Sequence, residues 1–203
     1  MKGKFIVIEG VDGAGKTTVI THLQSKFSGG SVFFTREPGG TKIGKFIRDI
    51  LVGETMDPMS EILLFFADRR EHLLNVVGPA LESGIHVICD RFEASTYAYQ
   101  LAGHEHMEYE ELFKDLSARV VGPMAPDHYI LIDVPTEVAA ERMRLRPGEQ
   151  SKFDAKDEAF HRRTREAYKK FLAGYPHTVI DGSRKTEDAC GHVEQVVREI
   201  LAK

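Results

Sequence analysis

Only two cysteines occur in these 203 residues, Cys89 and Cys190, far apart and without metal-ligand spacing. That excludes a disulfide-stapled scaffold and a cysteine-rich zinc cluster. Cys89 lies inside an apolar run and reads as a small core residue. No uncharged apolar run is long enough to cross a bilayer, and Met1 is followed by Lys2-Gly3-Lys4 and a strand-like stretch instead of a signal-peptide core. A cytoplasmic protein without a membrane partner is expected. Neither sign of charge dominates: 27 basic against 31 acidic residues leave a net charge of −4. A general polyanion-binding surface is therefore not expected, nor a nucleic-acid partner, and any basic cluster is local. Internal repeats and low-complexity tracts are also missing. With 42% hydrophobic residues there is ample material for one core, so a single domain spanning 1–203 is expected.

What is present is a regular alternation. Apolar runs at 5–8, 32–35, 86–89, 129–133 and 178–181 read as buried strands. Helical periodicity covers 43–52, 59–82, 108–121, 137–146, 157–172 and 186–201. Strands spaced by helix-length sequence imply βα units, hence an α/β fold with a mostly parallel five-stranded sheet covered on both faces. In such sheets ligands sit beyond the carboxyl ends of the strands, so residues just after each strand become site candidates.

The first such segment is Gly10-Val11-Asp12-Gly13-Ala14-Gly15-Lys16-Thr17, a complete G-x-x-x-x-G-K-T loop directly after the first strand. Its glycines let backbone N–H groups converge on phosphate oxygens, Lys16 reaches the β- and γ-phosphates, and the Thr17 hydroxyl is a Mg²⁺ ligand. From Thr18 a helix is expected, with Val19, Ile20, Leu23 and Phe27 on its apolar face and its positive end toward the anion. Lys16 is expected in an exposed loop where it contributes little to packing. A nucleoside triphosphate is the ligand class this spacing implies.

Arg36-Glu37-Pro38-Gly39-Gly40-Thr41 follows the second strand, Asp90-Arg91-Phe92 the third, and Asp133-Val134-Pro135 the fourth. Asp90 has the placement of an acidic residue supporting Mg²⁺, and Arg91 that of a phosphate bridge; a surface ion pair between the two is the alternative. Arg36 either binds phosphate or is a solvated residue of a Pro-Gly turn. In Glu141-Arg142-Met143-Arg144-Leu145-Arg146-Pro147-Gly148, Arg142 and Arg146 share a helix face while Arg144 points nearly opposite. Pro147 and Gly148 end that helix. The segment from about 146 to 155 has the charges a phosphate-covering lid needs, in Arg144, Arg146 and Lys152; a solvated helix end is the alternative. His104-Glu105-His106 reads as a solvated loop.

Taken together, these residues resemble the thymidylate kinase family over essentially the whole length. The stretches that carry the resemblance are 5–18, with the phosphate loop; Thr35-Arg36-Glu37-Pro38-Gly39-Gly40-Thr41; Leu63-Leu64-Phe65-Phe66-Ala67-Asp68-Arg69-Arg70-Glu71-His72; and the run from Asp90-Arg91-Phe92 to Tyr99-Gln100. The phosphate loop is widespread, whereas the second and fourth stretches are more specific. The resemblance implies the three-layer fold of the nucleoside monophosphate kinases, transfer of the γ-phosphoryl of ATP to dTMP with Mg²⁺, and a homodimer, for which the apolar stretch 62–77 is a candidate interface.

Residue by residue, it implies that Phe65 stacks on thymine and Arg69 hydrogen-bonds its carbonyl edge. Asp12 then orients the acceptor, Arg36 and Arg91 hold the monophosphate, Thr96 and Gln100 line the base pocket, and Tyr99 disfavours a 2′-hydroxyl. By pattern alone, Phe65 and Tyr99 fit core positions equally. One branch of the family carries an arginine in the phosphate loop just after the Asp; here that position is Gly13. The chain thus resembles the bacterial branch, whose arginines come from the lid, with Arg146 first and Arg144 second. It departs from that branch at Ser151-Lys152-Phe153-Asp154, where Lys replaces an Arg and loses its bidentate fork. A nucleotide switch would share the loop but carry an Asn-Lys-x-Asp guanine motif, which the sequence lacks. A non-catalytic nucleotide-binding module would have no use for the deoxynucleotide pocket residues.

Overall fold

Every residue of β1 (Phe5–Glu9) is buried, because it runs through the middle of a parallel sheet. The other strands are β2 (Val32–Arg36), β3 (His86–Asp90), β4 (His128–Asp133) and β5 (His177–Asp181), in the order β2-β3-β1-β4-β5. All four pairings are parallel. The expected α/β architecture with a five-stranded parallel sheet is what the chain adopts. The computed structural model describes residues 2–145 and 156–202.

Helices α1 (Lys16–Lys26), α2 (Lys42–Gly53), α3 (Pro58–His72), α4 (Gly78–Glu82) and α5 (Glu93–Thr96) occupy the first half of the chain. Helices α6 (Glu110–Val120), α7 (Thr136–Leu145), α8 (Glu158–Leu172) and α9 (Thr186–Leu201) follow. The single helical pattern expected over 59–82 is α3 and α4 joined by a π-helical stretch, Leu73–Val77. Two starts are corrected. Helix α1 begins at Lys16, not Thr18, and α6 begins at Glu110 after a 3₁₀ turn at Met107–Tyr109.

The segment after Asp90 was not expected to be helical, yet it forms α5 and a second π-helical stretch, Tyr97–Gly103. α8 lies against this stretch. At Gly103 a Cβ would come within 2.7 Å of both Phe160 Cε2 and Thr164 Oγ1. The core is continuous from the sheet, through Phe5, Ile6, Val7 and Ile8, to Phe92, Leu101, Phe160 and Tyr168. Cys89 belongs to it as a fully buried free thiol. Among the described residues, no helix is long and apolar enough to cross a membrane.

Candidate active site

The phosphate loop turns at glycines no other residue could replace cheaply. Gly13 has φ 79°, and a Cβ there would lie 2.4 Å from the Ala139 carbonyl oxygen of α7. The left-handed backbone and the missing space both exclude a side chain at the position where an arginine would otherwise stand. Gly15, with φ 97°, caps α1 and directs its first N–H groups into the loop. Val11 and Ala14 bury their side chains in the core, so only their backbone groups can serve a ligand.

Lys16 corrects an expectation. Its side chain is buried, and Nζ donates to the carbonyl oxygens of Gly10 (2.8 Å) and Val11 (2.9 Å). Burial, and after it the positive Arg91, pushes the ammonium down to about 8. Glu9, which sequence reasoning missed, ends β1 beneath the loop with no solvent exposure. Its carboxylate accepts from Phe92 N (2.8 Å), Ser95 N (3.3 Å) and Ser95 Oγ (2.7 Å). Burial outweighs these donors and raises its carboxyl to about 7.

Arg91 stands in the left-handed region, with φ 69°, immediately after β3. Such strain in a non-glycine residue persists only where surrounding contacts hold it. Nη2 donates to Asp12 Oδ1 (2.6 Å), and Nη1 donates to Gly10 O, Ser95 Oγ and the Tyr168 hydroxyl. The guanidinium also lies 5.2 Å over the Tyr99 ring, whose hydroxyl donates to Asp12 Oδ2 (3.0 Å). Asp12, Arg91 and Tyr99 thus form one fixed cluster. An Asp90–Arg91 ion pair is not formed. Asp90 Oδ1 is instead buried without a hydrogen-bond partner.

Two connected cavities meet at this cluster. One, of about 260 Å³, is lined by Phe65, Arg69, Phe92, Thr96, Tyr99 and Gln100. The other, of about 550 Å³, is lined by Gly13, Gly15, Lys16, Thr17, Thr18, Arg36, Asp90, Arg142 and Leu145. Asp12, Glu37, Arg48 and Arg91 belong to both walls. Phe65 is half-buried in the smaller cavity, while its neighbour Phe66 takes the core position. Tyr99 serves as both, packed in the core and facing the cavity.

Arg48 is a second residue the sequence reasoning missed. Its Nη1 donates to the Pro38 carbonyl (3.1 Å), and burial, followed by Arg36 and Arg91, depresses its guanidinium. Asp133, a post-strand candidate, is not part of the cleft: it holds Arg165 in a bidentate pair (2.6 and 2.8 Å) and Lys169 at 3.3 Å. Arg142 lines the larger cavity, and Arg144 is exposed and absent from both walls. Arg146, with the rest of 146–155, lies outside the described residues.

An apolar slot with an aromatic face and a buried guanidinium, opening onto a loop built for phosphates, can hold a nucleotide base against a phosphoryl donor. Residues 8–199 match the family model described as thymidylate kinase. The chain is 42% identical over 206 residues to a thymidylate kinase of Cupriavidus taiwanensis, covering 98% of this chain and 100% of that protein. It is 41% identical over 209 residues to a thymidylate kinase of Nitrosospira multiformis, with both chains covered completely. A thymidylate kinase of Burkholderia vietnamiensis is 41% identical over 204 residues, 97% of this chain and 98% of its own.

Proposed function

The chain belongs to the thymidylate kinase family, and on that premise we propose that it transfers the γ-phosphoryl group of ATP to dTMP, giving dTDP for dTTP synthesis. The observation that carries this reading is the pair of joined cavities. A base-sized slot with Phe65 and Arg69 opens past Asp12 and Arg91 onto the Lys16 loop.

Phe65 stacks on thymine and Arg69 donates to its carbonyl edge, which suits a planar base with acceptor oxygens. Thr96 and Gln100 complete the base pocket, and Tyr99, beside the sugar, crowds a 2′-hydroxyl. Arg36 and Arg91 hold the acceptor monophosphate, offsetting its repulsion with ATP, and Asp12 orients it. Arg48, at the junction, adds a third positive charge on that path. Lys16 moves from the carbonyls of Gly10 and Val11 to the β- and γ-phosphates. The acceptor phosphate is already ionised, so positioning and charge neutralisation carry the reaction and no strong general base is needed.

Mg²⁺ fits the donors present. Asp90 Oδ1 is buried without a partner and the Thr17 hydroxyl lines the same cleft. Hard oxygen ligands, one or two carboxylates together with substrate phosphates, are how this ion is normally held. Bound there, it supplies neutralisation of the phosphate charge. Arg146, with Arg144 only as the second candidate for that role, brings lid charge to the transferring group and closes the site to water. The working form is a homodimer in the cytoplasm.

A coupled assay of ADP release with ATP, Mg²⁺ and, as acceptor, each deoxynucleoside monophosphate or AMP tests the reading. The fastest turnover is expected with dTMP. Faster turnover of dCMP, dGMP or AMP would overturn the assignment of the acceptor.

A further inference from the structure

The guanidinium of Arg69, a residue lining the smaller cavity, is held by a buried chain of hydrogen bonds that extends away from that cavity. Its Nε donates to Glu37 Oε2 (2.9 Å) and its Nη2 to Thr96 Oγ1 (3.1 Å). Its plane lies between the rings of Phe66 and Phe92, at 5.0 and 4.8 Å. Nη1 is the part of the guanidinium left without a partner, although buried, and Arg69 lines the cavity. A buried donor of this kind is costly unless a ligand satisfies it.

Glu37 is itself steered from behind. Its second oxygen, Oε1, accepts from Nδ1 of His72 (2.8 Å), one turn further along α3 from Asp68 and Arg69. A carboxylate oxygen only accepts, so Nδ1 carries the hydrogen. The other ring nitrogen, Nε2, meets the Thr35 hydroxyl of β2 at 2.7 Å, a group able to donate or accept. His72 is fully buried and touches no substrate cavity. The loop is moulded onto its ring: a Cβ on Gly40 would lie 2.4 Å from His72 Cδ2. Asp68 anchors the same loop by accepting from Gly39 N (3.1 Å).

We propose that His72 is a positioning residue for base selection. Through Glu37 it fixes the Arg69 guanidinium so that its remaining N–H groups, those of Nη1 among them, are set for a carbonyl at the 4-position of a pyrimidine and not for an amino group there. This rests on reading the smaller cavity as the thymine site. The residue has no contact with substrate, so its effect appears in base discrimination and not in the chemical step.

The test compares KM for dTMP with the inhibition constant of 5-methyl-dCMP, whose pyrimidine carries an amino group in place of the 4-carbonyl. His72→Asn keeps a donor near the Nδ1 position, whereas His72→Gln places it near Nε2. With His72→Gln, KM for dTMP is expected to rise about tenfold while kcat stays within about threefold, the pattern of a mis-set binding hydrogen bond. The inhibition constant of 5-methyl-dCMP should stay within about threefold of wild type, and His72→Asn should restore most of the dTMP affinity. A parallel rise of both constants, or identical behaviour of the Asn and Gln variants, overturns the proposal. If neither variant folds, Thr35→Val, which removes only the hydroxyl against Nε2, should lower the dTMP preference about threefold; an unchanged preference overturns it equally. A wild-type protein that does not prefer dTMP would instead overturn the base-site reading itself.

Discussion

Lys16 is bonded to its own loop, and that contact has a measurable consequence. The buried ammonium, depressed to about 8, is charged at neutral pH but loses its proton in the free protein as pH rises further. A triphosphate favours the charged form, so the complex holds the proton to higher pH than the free protein does. ATP affinity should therefore be nearly flat below about pH 8 and weaken above it, approaching tenfold per pH unit. Binding near pH 8.5 should take up protons, seen by calorimetry in buffers of different ionisation enthalpy. Lys16→Arg, which does not deprotonate in this range, should abolish the proton uptake; uptake persisting in that variant would assign it to another group. The burial also changes what a truncation means. Lys16→Ala removes a packed side chain and two hydrogen bonds, so its loss of transfer is interpretable only beside a melting curve.

At the scale of elements, the strands were legible because those buried on both faces read as continuous apolar runs, and the phosphate loop because its spacing is local. The segment 93–103 was not legible. It is buried almost all round, and its π-helical half departs from the 3.6-residue period, so no one-sided stripe marks it. α2 misled in a different way: Ile43, Phe46 and Ile50 face outward, while Gly44, Arg48 and Leu51 turn inward, so the strongest apolar stripe concealed the cleft arginine on the opposite face. Glu9 and Tyr168 meet partners 83 and 77 residues away, beyond any local pattern. α7 delivers Arg142 to the phosphate cavity at its end, and Arg146 stands four residues further along the sequence. Gly13 leaves no room for a loop arginine, so the lid is expected to supply the transition-state charge. Arg146→Ala should slow the chemical step by about 100-fold or more with little change in dTMP affinity. Arg144→Ala, on the exposed face, should remain within about threefold. Single-turnover kinetics decide this, and collapse of Arg144→Ala with Arg146→Ala unharmed would reverse the assignment.

At the scale of the whole molecule, one surface differs from the rest. Phe46 is 63% exposed and Ile43 54%, and Ile50, Val52, Met59 and Leu63 continue the same apolar character from α2 into the adjacent α3. Exposed apolar side chains gathered on two helices in contact mark an interaction surface when they form one patch. They also flank the site. α2 presents Arg48 to the junction of the two cavities and α3 presents Phe65 and Arg69 to the smaller one, on the same two helices that carry the patch. The homodimer proposed above is thus best seated on α2 and α3, with Leu63 the part of this patch that falls in the candidate stretch 62–77. Phe46→Glu combined with Leu63→Glu would bury two unpaired charges in such an interface, at several kcal/mol each, while costing the monomer little, since both residues are exposed. Sedimentation should find the wild type as a dimer at micromolar concentration and the double variant as a monomer with native circular dichroism. KM for dTMP should rise in that monomer, because the helices that hold Arg48 and Arg69 lose their outer support. A double variant that stays dimeric would move the interface elsewhere. A monomeric variant with unchanged KM would keep the interface and sever its link to the site.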